Sequence, residues 1–311
     1  MIIIGAGLAG LLAANRLHQY NPSILEKQSS LPNNHGALLR FRTNDVGEAI
    51  GIPFKKVEVY KGVLNEDGLS ITNNPTLRDY NAYSLKTTGN VITRSIVNIE
   101  KSVRYIAPTW VISMLSNRAT IQYNVSIEDD YFKQYQRSPI ISTIPMPVLM
   151  RALKYPEHPP RYFNTRTIWA VNCEILGADV YQTLYVPHNE YEPYRISITG
   201  NIMTLEFANK PDCNYTWIIE KYMRILFGEV LEHSKVTFKE QEYGKIIPIP
   251  EHERQRFILW ATDNHNVYSL GRYATWRQIL LDDVLKDIRI IQKFIDQRSD
   301  YNRAIHKHRS E

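Results

Sequence analysis

An α/β fold is predicted by three observations. A short β-branched run, Met1-Ile2-Ile3-Ile4, leads directly into Gly5-Ala6-Gly7-Leu8-Ala9-Gly10, a GxGxxG, and then into a run of helix formers. A second apolar run, Ser23-Ile24-Leu25, closes on Glu26 and Lys27, with Glu26 standing 21 residues after Gly5. Near the other end Tyr268-Ser269-Leu270 runs into Gly271-Arg272, and apolar residues then recur at helical spacing. Strand, glycine turn, helix, strand and acid in this order predict a Rossmann-like unit.

Each element has a local reason. Leu11, Leu12, Ala13, Ala14, Arg16 and Leu17 put good helix formers behind the glycines with an apolar face, and Pro22 stops that helix. Gly5 permits the tight strand-to-helix turn, Gly7 lets the backbone approach a pyrophosphate, and Gly10 allows close helix–strand packing. Ala6, Leu8 and Ala9 complete the loop, whose helix N-terminus offers free N–H groups and a positive dipole end. Glu26 is placed to accept hydrogen bonds from ribose hydroxyls. After Gly271, the apolar stripe Ile279, Leu280, Val284, Leu285, Ile288 and Ile291 predicts a long helix. Its start is a second place where a helix N-terminus can meet a cofactor. Between the two ends, Tyr194–Ile198 and Met203–Phe207 read as strands joined by a Thr199-Gly200-Asn201 turn, and a helix is predicted from about Tyr215 to Phe227.

Composition narrows the class. The chain has 311 residues, 43% hydrophobic and 22% charged, which is enough for a large core and excludes disordered and collagenous chains. No apolar stretch has membrane-spanning length, and the N-terminal apolar run carries the glycine pattern in place of a basic leader, so a cytoplasmic protein is expected. Cys173 and Cys213 lie far apart without CxxC spacing, the histidines lack ligand spacing, and no GxSxG occurs. A metal centre and a serine hydrolase are therefore not expected. The net charge of +5, from 37 basic and 32 acidic residues, permits an anionic partner while also fitting an ordinary solvated surface.

The fingerprint alone serves FAD and NAD alike, and the rest of the chain bears on the choice. Val267 to Trp276, Val-Tyr-Ser-Leu-Gly-Arg-Tyr-Ala-Thr-Trp, followed by Asp282-Asp283-Val284, resembles the closing motif of the amine-oxidase-type FAD superfamily. That group includes amine oxidases, protoporphyrinogen oxidases and UDP-galactopyranose mutases. Ile140 to Pro147 resembles the strand that returns from the substrate domain, and Thr120 to Val125 resembles the strand whose end sets a backbone group on the adenine. The resemblance implies FAD as cofactor. It places Gly5, Ala6, Gly7, Leu8, Ala9, Gly10, Glu26, Lys27, Arg40, Val125, Gly271, Arg272 and Trp276 around it. It also implies a Rossmann-like FAD-binding domain from residues 1–50, 100–150 and 262–311, with an interleaved mixed-sheet substrate domain from 51–99 and 151–261. The family's Gly-Gly-Arg cluster is replaced here by Asn33-Asn34-His35-Gly36 ahead of Arg40 and Arg42, either of which can meet a pyrophosphate oxygen.

A second GxGxxG for NAD(P)H is absent. His35 lies where the mutases carry a glycine-histidine segment facing the flavin, and Tyr273 and Trp276 are expected at a helix start beside it. His35 and Tyr273 are the candidate catalytic residues; a loop histidine and ordinary core aromatics are the plain alternatives. More narrowly, His35 to Thr43 and Gly51 to Val57 resemble small bacteriophage flavoproteins linked to thymine hypermodification. This implies oxidation of a C–N bond of an amine, in the host cytoplasm, with an amino-acid-modified thymine in DNA as substrate and an aminomethyl base as product. Lys55, Lys56, Lys61, Arg40 and Arg42 would then serve the phosphates. Two other readings stay open. One is a mutase-like flavoenzyme gripping a sugar nucleotide with Arg161, Arg166 and Arg195; the other is a non-catalytic FAD-bound partner protein.

Overall fold

The computed structural model describes residues 1–31, 40–68, 70–91, 96, 99, 101–127, 138–157 and 163–308. The chain divides into two compact units, one of Met1–Lys55, Tyr105–Asn164 and Ile246–Glu311, the other of Lys56–Arg104 and Thr165–Lys245.

The first unit is a Rossmann-like parallel sheet of five strands. β1 (Ile2–Ile4) sits in the middle, between β2 (Ser23–Leu25) and β8 (Ile140–Ser142), with β7 (Thr120–Gln122) and β14 (Val267–Ser269) at the edges. The strands are short, and β1, β2, β8 and β14 are mostly apolar because they are largely buried, whereas Thr120 and Gln122 of the edge strand β7 are exposed. Their side chains alternate: Ile3, Ile141 and Tyr268 face one core, Ile4, Ile140 and Val267 the other. The first core is closed by α1 (Leu8–Arg16), α2 (Asp45–Ile50), α4 (Val111–Asn117) and α8 (Leu281–His308), through residues such as Leu11, Leu12, Ile112, Leu115, Val284 and Leu285. The second is closed by α5 (Met146–Ala152) and α7 (Glu251–His265), through Leu149, Met150, Phe257 and Ala261. The strand β3 (Arg40–Phe41) pairs antiparallel with Ile106 and Tyr105.

The four boundaries all move from the sequence expectation, two of them by five residues and two by more than ten. Residues 151–164 and 246–261, expected in the substrate domain, belong to the first unit. The reason is packing: Ala152, Leu153, Ile246, Ile249 and Phe257 are buried in the same core as Val267 and Trp276.

The second unit is a mixed sheet in the order β13 (Thr237–Ile246), β9 (Thr165–Glu174), β12 (Ile202–Phe207), β11 (Pro193–Gly200), β10 (Val180–Tyr185), β4 (Lys55–Leu64), β6 (Ser102–Ile106), with β5 (Ile71–Thr72) paired to β4. β11 and β12 form the expected hairpin, Thr199 opposite Ile202, and Gly200 takes the positive φ of +66° that the turn requires. One face packs on α6 (Tyr215–Phe227), whose Ile218, Ile219, Tyr222 and Met223 meet Val171, Cys173, Met203 and Leu205. Asn214 caps α6 by accepting from the N–H groups of Thr216 and Trp217. α3 (Leu77–Thr88) starts in a capping box between Thr76 and Asp79.

Lys86 on α3 is a tightly held charge of this unit. Its Nζ donates to the carbonyls of Val186 at 3.1 Å, His188 at 2.7 Å, Tyr191 at 2.5 Å and Pro193 at 2.9 Å, drawing the β10–β11 loop around one ammonium. Burial pushes its pKa down to about 8, against the pull of Glu192 and Glu190. Lys86→Met removes the donor and leaves four carbonyls facing a thioether, so a loss of about 3 kcal/mol is expected by urea unfolding. A variant with the wild-type midpoint would mean that the loop carbonyls find other donors.

Candidate functional site

The glycine turn has a distinct physical demand at each glycine. Gly5 follows β1 with φ +94°, and a Cβ there would lie 2.4 Å from Thr143 Oγ1. That hydroxyl donates to the Ile4 carbonyl at 2.8 Å and sits 3.3 Å from the Gly5 carbonyl, while Gly5 N donates to Leu25 O at 2.8 Å. A Cβ on Gly10 would stand 2.0 Å from the Gly5 carbonyl oxygen, so helix α1 can approach the turn this closely only with glycine. Gly7 is different. Its φ of −65° and ψ of 173° suit any L-residue, and a Cβ built there meets nothing within 4 Å among the described residues. As the N-cap of α1 it brings no side chain to the helix end. Among the described residues, then, no side chain from the cap position stands over the first-turn N–H groups, as a diphosphate site at a helix N-terminus requires.

Glu26 closes the turn from the other side. Its Oε2 accepts from Ala6 N at 2.7 Å and its Oε1 from Gln28 N at 2.9 Å. Each carboxylate oxygen keeps acceptor capacity for a ribose hydroxyl. Lys27 beside it is exposed. Val125 uses its N–H on the Glu26 carbonyl at 2.9 Å, so what it can offer an adenine is its carbonyl.

The structure brings the two ends of the chain together. A Cβ on Gly271, whose φ is +91°, would lie 3.0 Å from Ala9 Cβ, so the second glycine turn packs on the first turn of α1. Leu270 N donates to Ser142 O at 2.9 Å and carries the segment across the sheet edge. Beyond it the expectation of a helix start at Gly271 is corrected: α8 begins at Leu281. Thr275 donates through both N (3.0 Å) and Oγ1 (2.7 Å) to the Gly271 carbonyl, and Trp276 adopts a left-handed φ of +49°. These contacts hold residues 271–280 as successive turns. Trp276 is corrected with it, since its indole is buried, edge-on to Phe163 at 4.9 Å, and donates to the Ile247 carbonyl at 2.9 Å. It is a core residue. Tyr273 stands in the turn, its carbonyl accepting from Met146 N at 2.9 Å, and the Arg272 guanidinium lies 5.7 Å from its ring.

Arg40 sits on β3. Arg42 is paired with Asp283, Nη2 to Oδ2 at 2.6 Å. His35, the candidate catalytic histidine, lies outside the described residues.

Residues that the sequence did not single out hold this site. Buried Arg254 on α7 donates Nη1 to the Thr275 carbonyl at 3.3 Å and Nε to Glu251 Oε2 at 2.8 Å. One of two arginines on a mixed-polarity helix, it carries no pattern that would have revealed it. The hydrogen bond from Arg254 holds the Glu251 carboxyl down to about 2. The stabilisation is present above the ordinary carboxylate pKa and is lost as pH falls toward 2. Because Glu251 is largely exposed, the pair is worth below about 1 kcal/mol. Glu251→Gln is expected to flatten the wild-type loss of melting temperature between pH 4.5 and 2.5, measured by calorimetry; an unchanged slope would remove this pair as its source.

Among the described residues no group of His, Cys, Asp and Glu could hold a metal ion, and no helix is long and apolar enough to cross a membrane. No protein-family model matches the sequence, nor does any curated protein. Solved structures do match. A protein assigned as a protoporphyrinogen oxidase from Exiguobacterium sp. 255-15 is 13% identical, with 95% of this chain and 98% of that chain covered and a TM-score of 0.57. Reduced UDP-galactopyranose mutase is 14% identical, with 89% of each chain covered and a TM-score of 0.58. RebC, a rebeccamycin biosynthetic enzyme solved with reduced flavin, is 11% identical, with 88% of this chain and 55% of that chain covered and a TM-score of 0.50. Over most of its length this chain has the Rossmann-like α/β fold of the protoporphyrinogen oxidase and mutase structures.

Proposed function

We propose that this chain binds FAD at the glycine turn and is an FAD-dependent oxidoreductase. The observation that carries this reading is Gly7, a glycine whose backbone needs no glycine and whose missing side chain leaves open space at a helix N-terminus. The fold shared with a mutase, a protoporphyrinogen oxidase and a flavin-bound biosynthetic enzyme favours FAD over NAD. The first-turn N–H groups of α1 would hold the diphosphate, Glu26 the ribose, and the Val125 carbonyl the adenine. Gly271 would keep the second turn close enough for Arg272 and Tyr273 to border the site. Bound FAD would supply a two-electron acceptor for a hydride from the substrate.

The finer proposal is an amine substrate oxidised at a C–N bond. The narrower resemblance of residues 35–43 and 51–57 supports an amino-acid-modified thymine in bacteriophage DNA, with the protein in the host cytoplasm. A modified base would have to leave the duplex to be oxidised, and binding would weaken steeply with salt. Lys56 is exposed for such contacts, whereas Arg42 is neutralised by Asp282 and Asp283. The mutase reading draws on the likeness to reduced UDP-galactopyranose mutase, but Arg195, one of its three arginines, is engaged by both carboxylate oxygens of Glu206. Arg161, another, lies outside the described residues.

The test is the visible spectrum of the purified protein with a mass on the released cofactor, followed by anaerobic titration. Flavin bands that bleach with an amine or with modified DNA are expected. Turnover of a sugar nucleotide only after dithionite reduction would move the reading to a mutase, and bound FAD that no substrate reduces would favour a non-catalytic partner. A colourless protein that FAD does not reconstitute overturns the proposal.

A further inference from the structure

Asp282 is buried, at 6% exposure, in the first turn of α8, yet it faces neither solvent nor its own helix end. Its Oδ1 accepts from Arg42 N at 3.1 Å, Thr43 N at 3.2 Å and Thr43 Oγ1 at 3.4 Å, and its Oδ2 lies 3.3 Å from Arg42 N. Its neighbour Asp283 does the ordinary work of the helix end, accepting from Leu280 N at 3.0 Å, and takes the Arg42 guanidinium. Two consecutive acids thus grip one two-residue stretch, the first by its backbone and the second by its side chain. That stretch follows directly on β3, which carries Arg40, and leads into α2. α2 is in turn tied to the helix behind the glycine turn, Arg16 Nη1 to Ala49 O at 2.9 Å. Phe41 and Val46 share one core with Ala6, Leu11 and Val284.

We infer that Asp282 is a positioning residue for the cofactor's diphosphate, acting through the Arg40–Thr43 segment and not by touching the cofactor. The inference rests on the FAD reading above. A buried carboxylate with three donors is a strong, charge-assisted anchor. Arg40 is the cation it would hold in register, because among the described residues β3 pairs on one side, with Tyr105 and Ile106.

The experiment measures FAD and ADP affinities of the full-length apoprotein for the wild type, Asp282→Asn, Arg40→Ala and the double variant. ADP carries the diphosphate without the ring. Asp282→Asn is close to isosteric, so the fold is kept, while its amide NH2 opposes backbone donors. The expected result is about a tenfold rise in Kd for both ligands in each single variant. The double variant should be no weaker than the weaker single, since both act on one contact. Hydrogen exchange at the Arg42 and Thr43 amides should quicken in Asp282→Asn without ligand. Loss of FAD but not ADP affinity, strictly additive losses, or unchanged affinity with unchanged exchange would each overturn the inference. A wild type that binds neither ligand would instead overturn the FAD reading itself.

Discussion

Gly7→Val is expected to leave the fold standing and to abolish FAD binding. The backbone at Gly7 already has φ −65° and ψ 173°, which a β-branched residue accepts, and among the described residues no atom lies within 4 Å of the added Cβ. The cost to the fold is that of a poorer N-cap, below about 1 kcal/mol. The cost to the ligand is steric, because the branched side chain would stand over the N–H groups that the diphosphate must reach. A loss of at least about a hundredfold in affinity, near 3 kcal/mol, follows. The check is paired: the melting curve of the apoprotein beside its flavin absorbance after reconstitution. Full occupancy in a well-folded Gly7→Val protein would remove the glycine turn from the site.

Gly10→Ala is expected to fail for the opposite reason. One methyl group would be placed 2.0 Å from the Gly5 carbonyl oxygen, and neither partner is a flexible side chain. Relief requires α1 to move off β1, which would disturb the core formed by Ile3, Leu11, Leu12 and Ala13. Overpacking against backbone at a buried position costs about 3 kcal/mol or more, a large share of a domain's stability. Urea unfolding should show the midpoint falling sharply, or the protein should be recovered only as aggregate. Ordinary stability in Gly10→Ala would mean that the turn can open. The two variants separate a glycine kept for the fold from a glycine kept for a ligand three residues away.

How far the sequence could be read depended on whether the signal was local. β1, α1 and β2 were legible because a β-branched run and a glycine spacing each act on their own neighbours, although α1 ends at Arg16, ahead of a 3₁₀ turn over His18–Tyr20, and not at Pro22. The β11–β12 hairpin and α6 were legible for the same reason, the hairpin through Gly200 in its turn, whereas the Asn214 cap and the Gly228 stop of α6 emerged only in the structure. The start of α8 was not. Its apolar stripe is readable, but the turns of 271–280 depend on Arg254 and Ile247, from a segment well before them in the chain. Trp276 was misplaced by the same gap, since an indole beside a glycine turn gives no sign of whether it faces a ligand or a core. The fate of Arg42 was equally hidden, because its partners stand 240 residues away.

By itself the sequence determined the chemistry on offer: the glycine turn, the acid that closes it and the second glycine near the end of the chain. These follow from backbone geometry that only certain residues permit, and such constraints are visible residue by residue. Only the tertiary structure decided which glycine is free to face a ligand, that Gly271 lies against Ala9, and that Asp282 grips Arg42 and Thr43. Those are contacts between distant segments, set by packing of the parallel sheet and its two cores, and no spacing along the chain encodes them.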